Sequence, residues 1–141
     1  MPEGGIIADT GPLVAFLVRE DIHHSWAVEQ FKKLPAPFLT CEPVLTEAFY
    51  LVHRLKEGKE RFFKLLDSGL FTVELELMRE QKALSRLVRK YGDVPMSLAD
   101  ACVVRMAEMS PKASVFTVDG HFRIYRKHGR HVIATIMPPA L

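Results

Sequence analysis

The feature that most restricts the fold of this chain is a rhythm of short apolar runs separated by stretches of helical periodicity. The runs lie at residues 5–8, 38–40, 70–75, 115–118 and 132–136. They are short and do not alternate apolar with polar residues, which is the pattern of strands buried on both faces. Between them, Thr10-Gly11-Pro12 opens an apolar helical stretch at 13–18. Proline suits a first turn because its missing N–H would have no partner there. A helix at 23–33 carries Ala27, Phe31 and Leu34 on one face and stops before Pro35 and Pro37. Further helices are expected at 42–55, 60–66 and 78–90, the last with Leu84, Leu87, Val88 and Tyr91 at helical spacing. Ser97 begins a helix that runs to 109 and is closed by Pro111, and 122–125 reads as a short helix. Strands alternating with helices imply βαβ units, hence an α/β fold with a mostly parallel sheet covered on both faces. Ligands of such folds bind beyond the carboxyl ends of the strands, where strand order switches direction.

The 141 residues suit one domain spanning 1–141, and no repeat or linker divides them. With 48% hydrophobic and 26% charged residues, the chain is not a disordered regulator. No apolar run reaches the ~18–20 residues of a membrane span. Met1-Pro2-Glu3-Gly4-Gly5 has neither the basic nor the apolar region of a secretory leader. Cys41 and Cys102 make no disulfide framework and lack metal-ligand spacing, so a reducing cytoplasm is the expected location. The net charge of +2 says little about partners, but its distribution says more. Residues 121–131 hold four Lys or Arg, three His and no acid. This is either a solvated face or a phosphate-contacting patch formed by Arg123, Arg126, Lys127 and Arg130.

Four acids stand where acids are unusual. Asp9 and Asp119 each follow a strand directly. Glu47 lies three residues after Val44 and four before Leu51, and so is read with the apolar stripe Val44, Ala48, Leu51 and Leu55. Asp100 has Val103, Val104 and Ala107 at i+3, i+4 and i+7 and is read as facing inward. Each has an ordinary explanation. Asp9 suits a helix cap or turn, and Glu47 suits the dipole near a helix start. Ser97-Leu98-Ala99-Asp100 is a capping-box pattern, and Asp119-Gly120 is a turn signal. Jointly they point to one cleft at the sheet end. Gathering carboxylates costs energy, about 4 kcal/mol for two charges at ~4 Å in an effective dielectric of 20. A divalent cation reverses the sign of that cost. An all-oxygen set without Cys or His suits Mg²⁺ or Mn²⁺, ions that activate water and neutralise a phosphodiester under attack.

The segments Ile6-Ile7-Ala8-Asp9-Thr10-Gly11-Pro12-Leu13, Thr46-Glu47-Ala48, Ser97-Leu98-Ala99-Asp100-Ala101 and Thr117-Val118-Asp119-Gly120-His121-Phe122 resemble, in order and spacing, the PIN-domain family. The similarity is strongest to the ribonuclease toxins of VapBC-type toxin–antitoxin pairs. It spans essentially the whole chain, with intervals of 38, 53 and 19 residues between the four acids. The resemblance implies a Rossmann-like three-layer α/β/α sandwich with about five parallel strands. It also implies a Mg²⁺-dependent endoribonuclease whose acidic quartet is Asp9, Glu47, Asp100 and Asp119, holding one or two ions. Thr10 and Thr117 would orient water beside those acids. Implied partners are an RNA substrate, a cognate antitoxin and a second copy in a homodimer, with no membrane. The sequence departs from the family at Gly11-Pro12, where a small polar residue is usual.

Other readings compete with this one. A haloacid-dehalogenase-like phosphatase needs a second carboxylate where Gly11 stands, and a receiver domain needs an acidic pair absent here. A catalytically weak PIN-like scaffold that binds RNA or protein, and a nuclease that processes RNA outside any toxin pair, are the remaining alternatives. His23-His24 and His128 with His131 lack a third ligand and read as solvated. Trp26, Phe31, Phe49, Tyr50, Phe62 and Phe63 read as core. The resemblance assigns part of that early apolar surface to a dimer face and an antitoxin groove.

Overall fold

The computed structural model describes residues 4–140. Met1, Pro2 and Glu3 of the segment read for a leader, and Leu141 of the expected domain, lie outside the described residues. The expected strands and helices form, the short helix read at 122–125 as a 3₁₀ turn over Gly120–Arg123. β1 (Ile6–Ala8), β2 (Phe38–Thr40), β3 (Phe71–Val73), β4 (Ser114–Phe116) and β7 (Thr135–Ile136) make a parallel sheet in the order β3-β2-β1-β4-β7. Helices α1 (Thr10–Leu17), α2 (His24–Lys33), α3 (Glu42–Val52), α4 (Gly58–Asp67), α5 (Leu77–Lys90) and α6 (Leu98–Met109) cover it in three α/β/α layers. Strand order switches at β1, which pairs with β2 on one side and with β4 on the other. In the β1–β4 ladder, Ile6 faces Ser114, Ile7 faces Val115 and Ala8 faces Phe116. The ends of these two strands therefore lie side by side.

Packing explains the register. Phe31 on α2 meets Phe16 and Phe38 at 4.9 Å and Phe116 at 5.3 Å, in edge-to-face contacts. Trp26 also leans on Phe116 at 5.3 Å. On α6, Ala101 through Val104 and Ala107 are buried, and the helix lies against β1 and β4. Of the aromatics read as core, Phe62 is buried, while Tyr50 and Phe63 are exposed. Cys41 and Cys102 are free thiols, both buried.

Three expectations change. The run at 132–136 divides: β6 (His131–Val132) pairs antiparallel with β5 (Arg126–Lys127), and only Thr135–Ile136 joins the main sheet. His128 and Gly129, at φ 49° and 79°, reverse the chain between β5 and β6, and the buried Ile133 marks where it changes partners. The run at 70–75 shortens to an edge strand with Thr72 and Val73 exposed, so burial on both faces fails there. The helix expected to reach residue 55 stops at Val52. The chain folds back so tightly that a Cβ on Gly58 would lie 1.9 Å from the Val52 carbonyl oxygen. Only glycine fits that approach.

Candidate functional site at the carboxyl edge of the sheet

A cavity of about 290 Å³ opens where strand order switches, and Asp9, Glu47, Asp100 and Asp119 all line it, together with Thr10 and His23. The topology explains the convergence. Asp9 follows β1 and Asp119 comes three residues after β4, so the β1–β4 pairing sets them side by side. The Asp9 backbone N–H donates to the Phe116 carbonyl at 2.9 Å. Gly11 permits the closeness of the two loops, since a Cβ there would lie 2.3 Å from Val118 Cγ2. α3 and α6 pack together and bring Glu47 and Asp100 to the same rim.

Each carboxylate has its own partners. Asp9 stands at the start of α1 but makes no side-chain cap; its Oδ2 accepts from Thr117 Oγ1 at 2.7 Å. The same hydroxyl accepts from the Asp119 backbone N–H at 2.9 Å, so Thr117 ties the two strand-end acids together. Thr10 Oγ1 donates to Glu47 Oε2 at 3.3 Å. Asp100 does form the capping box: its N–H donates to Ser97 Oγ at 3.0 Å and its Oδ2 accepts from the Ser97 N–H at 3.2 Å. Asp119 Oδ1 accepts from the His121 N–H at 2.9 Å and lies 2.7 Å from His121 Nδ1. The two ordinary explanations offered for Asp100 and Asp119 thus hold alongside their place in the cavity.

Glu47 needs a correction. It is exposed, not part of the buried stripe. The buried face of α3 runs through Val44, Ala48 and Val52 at i, i+4 and i+8. Glu47 and Leu51 sit one step round the helix, and Leu51 is 51% exposed. That offset is what puts Glu47 on the cavity rim. Likewise Val88 is exposed, while Leu84, Leu87 and Tyr91 are buried.

The electrostatics follow from burial. Asp9 is almost inaccessible, and loss of hydration pushes its pKa up to about 7. Its bonds to Thr117 and Thr10 oppose the rise, and the charges of Asp100 and Asp119 add to it. Burial also raises Asp100, against the pull of the Ser97 N–H and with a push from Asp119. Three mutually repelling acids around one cavity are what a hard divalent cation would relieve. Donor type and charge fit such an ion. In the side-chain conformations seen, however, no three His, Cys, Asp or Glu groups among the described residues converge as ligands. Each acid is drawn toward its own donor instead.

Sequence reasoning missed Tyr125 and His121. Tyr125 is fully buried, its hydroxyl donates to Asp100 Oδ2 at 3.2 Å, and its ring meets Tyr91 at 5.1 Å. In the sequence both residues have a place, His121 in the segment after Asp119 and Tyr125 in a short helix, but neither is assigned a role beside the acids. The basic quartet is not brought to the cavity, which none of its members lines. Arg126 Nη1 donates to the carbonyls of Arg123, Ile124 and Tyr125 at 2.6, 3.1 and 3.0 Å. Lys127 Nζ donates to the Pro111 carbonyl at 2.8 Å, beyond the far end of α6. Arg123 and Arg130 are exposed. Replacing Arg126 with Ala is therefore expected to cost about 1 kcal/mol in urea unfolding.

No family model matches the chain, and no curated protein does. Among solved structures it is similar to the crystal structure of Mycobacterium tuberculosis VapC20, a toxin that cleaves the sarcin–ricin loop. The TM-score is 0.71 at 23% identity, over 82% of this chain and 91% of that one. The likeness is one of fold: the three-layer architecture expected from the resemblance is the one this chain adopts. No helix among the described residues is long and apolar enough to cross a membrane.

Proposed function

We propose that the chain is a Mg²⁺-dependent endoribonuclease that acts as the toxin of a type II toxin–antitoxin pair. The observation that carries this reading is the meeting of the four expected acids, with Asp21 as a fifth, from separate segments in one cavity at the switch point of the sheet. The fold shared with a ribonuclease toxin supports it. Asp9, Glu47, Asp100 and Asp119 would hold Mg²⁺, or Mn²⁺ in its place. The ion would supply charge neutralisation at the phosphodiester and a more acidic water. The protein's own share is preorganisation. Thr117 holds the Asp9 carboxylate and the Asp119 backbone in one arrangement, Thr10 steadies Glu47, and Tyr125 with Ser97 orients Asp100. Burial of Asp9 excludes water that would otherwise screen the site.

The proposed partners follow from the same reading. An apolar groove of about 300 Å³ between α3 and α4, lined by Leu45, Phe49, Phe62, Phe63 and Leu66, supports a homodimer face and an antitoxin contact. One observation favours the alternative of a catalytically silent scaffold that binds RNA or protein: the acids do not close into a ligand set in the conformation seen. Cleavage assays separate the two. Wild type with Mg²⁺ is expected to cut RNA, EDTA to abolish cutting, and D100N to lose it by at least about a thousandfold with an unchanged circular-dichroism spectrum. Undiminished cleavage by D100N would remove the assignment.

A further inference from the structure

Cations the sequence reading passed over stand on α5. Lys82, Arg86 and Lys90 occur at i, i+4 and i+8 and are all exposed, so they form one stripe with steps of about 6 Å. Among the described residues none of them makes a salt bridge. Of the other charged residues on the helix, Arg79 pairs with Glu76 at 3.2 Å and Glu80 with Arg105 at 2.7 Å, while Arg89 makes no salt bridge among the described residues.

Two of these cations border a concave surface. A cleft of about 300 Å³ opens between α5, α6 and the turn joining β5 to β6, lined by Arg86, Lys90, Arg105, His128 and a single acid, Glu108. That acid is already engaged on both oxygens. Glu108 Oε1 accepts from Arg105 Nη1 at 3.2 Å, and Oε2 accepts from the His128 N–H at 2.7 Å. Lys90 Nζ donates to the Gly129 carbonyl at 3.2 Å and lies 5.4 Å from the centre of the Tyr91 ring. These contacts hold the ammonium at the cleft and leave two of its three donors unused. A concave wall with a fixed ammonium, an unpaired guanidinium and no free acid matches a phosphate. Arg105 and Glu108 stand five and eight residues beyond Asp100 on α6, about 8–12 Å along the helix axis. A nucleic-acid backbone covers that distance in a few nucleotides.

We propose that this cleft seats a backbone phosphate of the RNA a few nucleotides from the cleavage cavity, with Arg86 and Lys90 as its cations. The inference rests on RNA being the substrate. It goes further in giving the strand a second point of attachment and hence a direction across the protein.

Binding is best measured in the D9N background, by anisotropy of a labelled RNA over a range of salt concentrations. R86Q/K90Q is expected to weaken binding about tenfold at low salt and to lower the slope of log affinity against log salt by about 0.7, the value for one phosphate of a single strand. R86K/K90R should retain both, which separates charge from folding. With Asp9 present, R86Q/K90Q should lower kcat/KM on a long RNA and leave cleavage of a dinucleotide unchanged. Unaltered affinity and slope in R86Q/K90Q would overturn the seat. So would binding of inorganic phosphate at the cleft without any contribution to RNA affinity. If wild type cleaves nothing while RNA binding still depends on Arg86 and Lys90, the nuclease reading fails and the seat stands.

Discussion

The D9N variant is expected to be more stable than wild type at pH 8 in metal-free buffer, by as much as about 4 kcal/mol, and on the proposed nuclease reading to lose all cleavage. The figure is the rise of the Asp9 pKa from 3.8 to about 7, converted at ~1.36 kcal/mol per unit. The native state holds its proton more tightly than the unfolded chain does. The favourable contribution of that proton is fully present below about pH 4 and disappears as pH rises toward 7, leaving the penalty of a buried charge above it. Asn carries no such charge. Wild type and D9N should therefore have similar stability near pH 4 and diverge across the interval to pH 7, reaching about 10 °C in melting temperature. Adding Mg²⁺ at pH 8 should raise the wild-type melting point and leave that of D9N in place, because only a native-state binder shifts the equilibrium. Equal melting points at pH 8 would show that Asp9 is not a strained buried carboxylate.

The second large effect belongs to Thr117. Its fully buried hydroxyl donates to Asp9 Oδ2 and accepts from the Asp119 N–H. Valine keeps the shape and removes both bonds. At pH 8 the ionised Asp9 then loses its side-chain donor and the Asp119 amide loses its acceptor, at a cost of about 3 kcal/mol. At pH 4, with Asp9 protonated, the cost should fall to about 1 kcal/mol. Because the hydroxyl sets the spacing of two acids of the proposed catalytic site, T117V should, on the proposed nuclease reading, lose about a hundredfold in cleavage rate. T117S, which retains the oxygen, should recover most of both. Urea unfolding at the two pH values and single-turnover cleavage read these outcomes, and a pH-independent cost would assign Thr117 to packing alone.

The positions of the strands and of Asp9, Asp100 and Asp119 were legible because they depend on local pattern. An apolar run that stops at an acid marks a strand end wherever it occurs, and Ser97 with Asp100 reports a helix start by its own chemistry. Glu47 was found through an argument that the structure revises. The 3.6-residue period located it on α3, but which side of the stripe is buried depends on the neighbouring helices. Tyr125 carried no local signal, because its bond to Asp100 joins positions 25 residues apart. The contacts of the basic segment carried no local signal either. Charge density along the chain drew attention to residues 121–131, whereas Arg126 and Lys127 turn to backbone carbonyls.

By itself, then, the chain determined its strands, its helices and the acids at their ends, since these follow from hydrophobic period, proline placement and capping. Only the tertiary structure decided that β1 and β4 are neighbours, that Thr117 bonds both strand-end acids, and that Arg86 and Lys90 share a cleft with the β5–β6 turn. Those are long-range juxtapositions, set by how the layers pack. No short window of residues contains the partner on which such a contact depends.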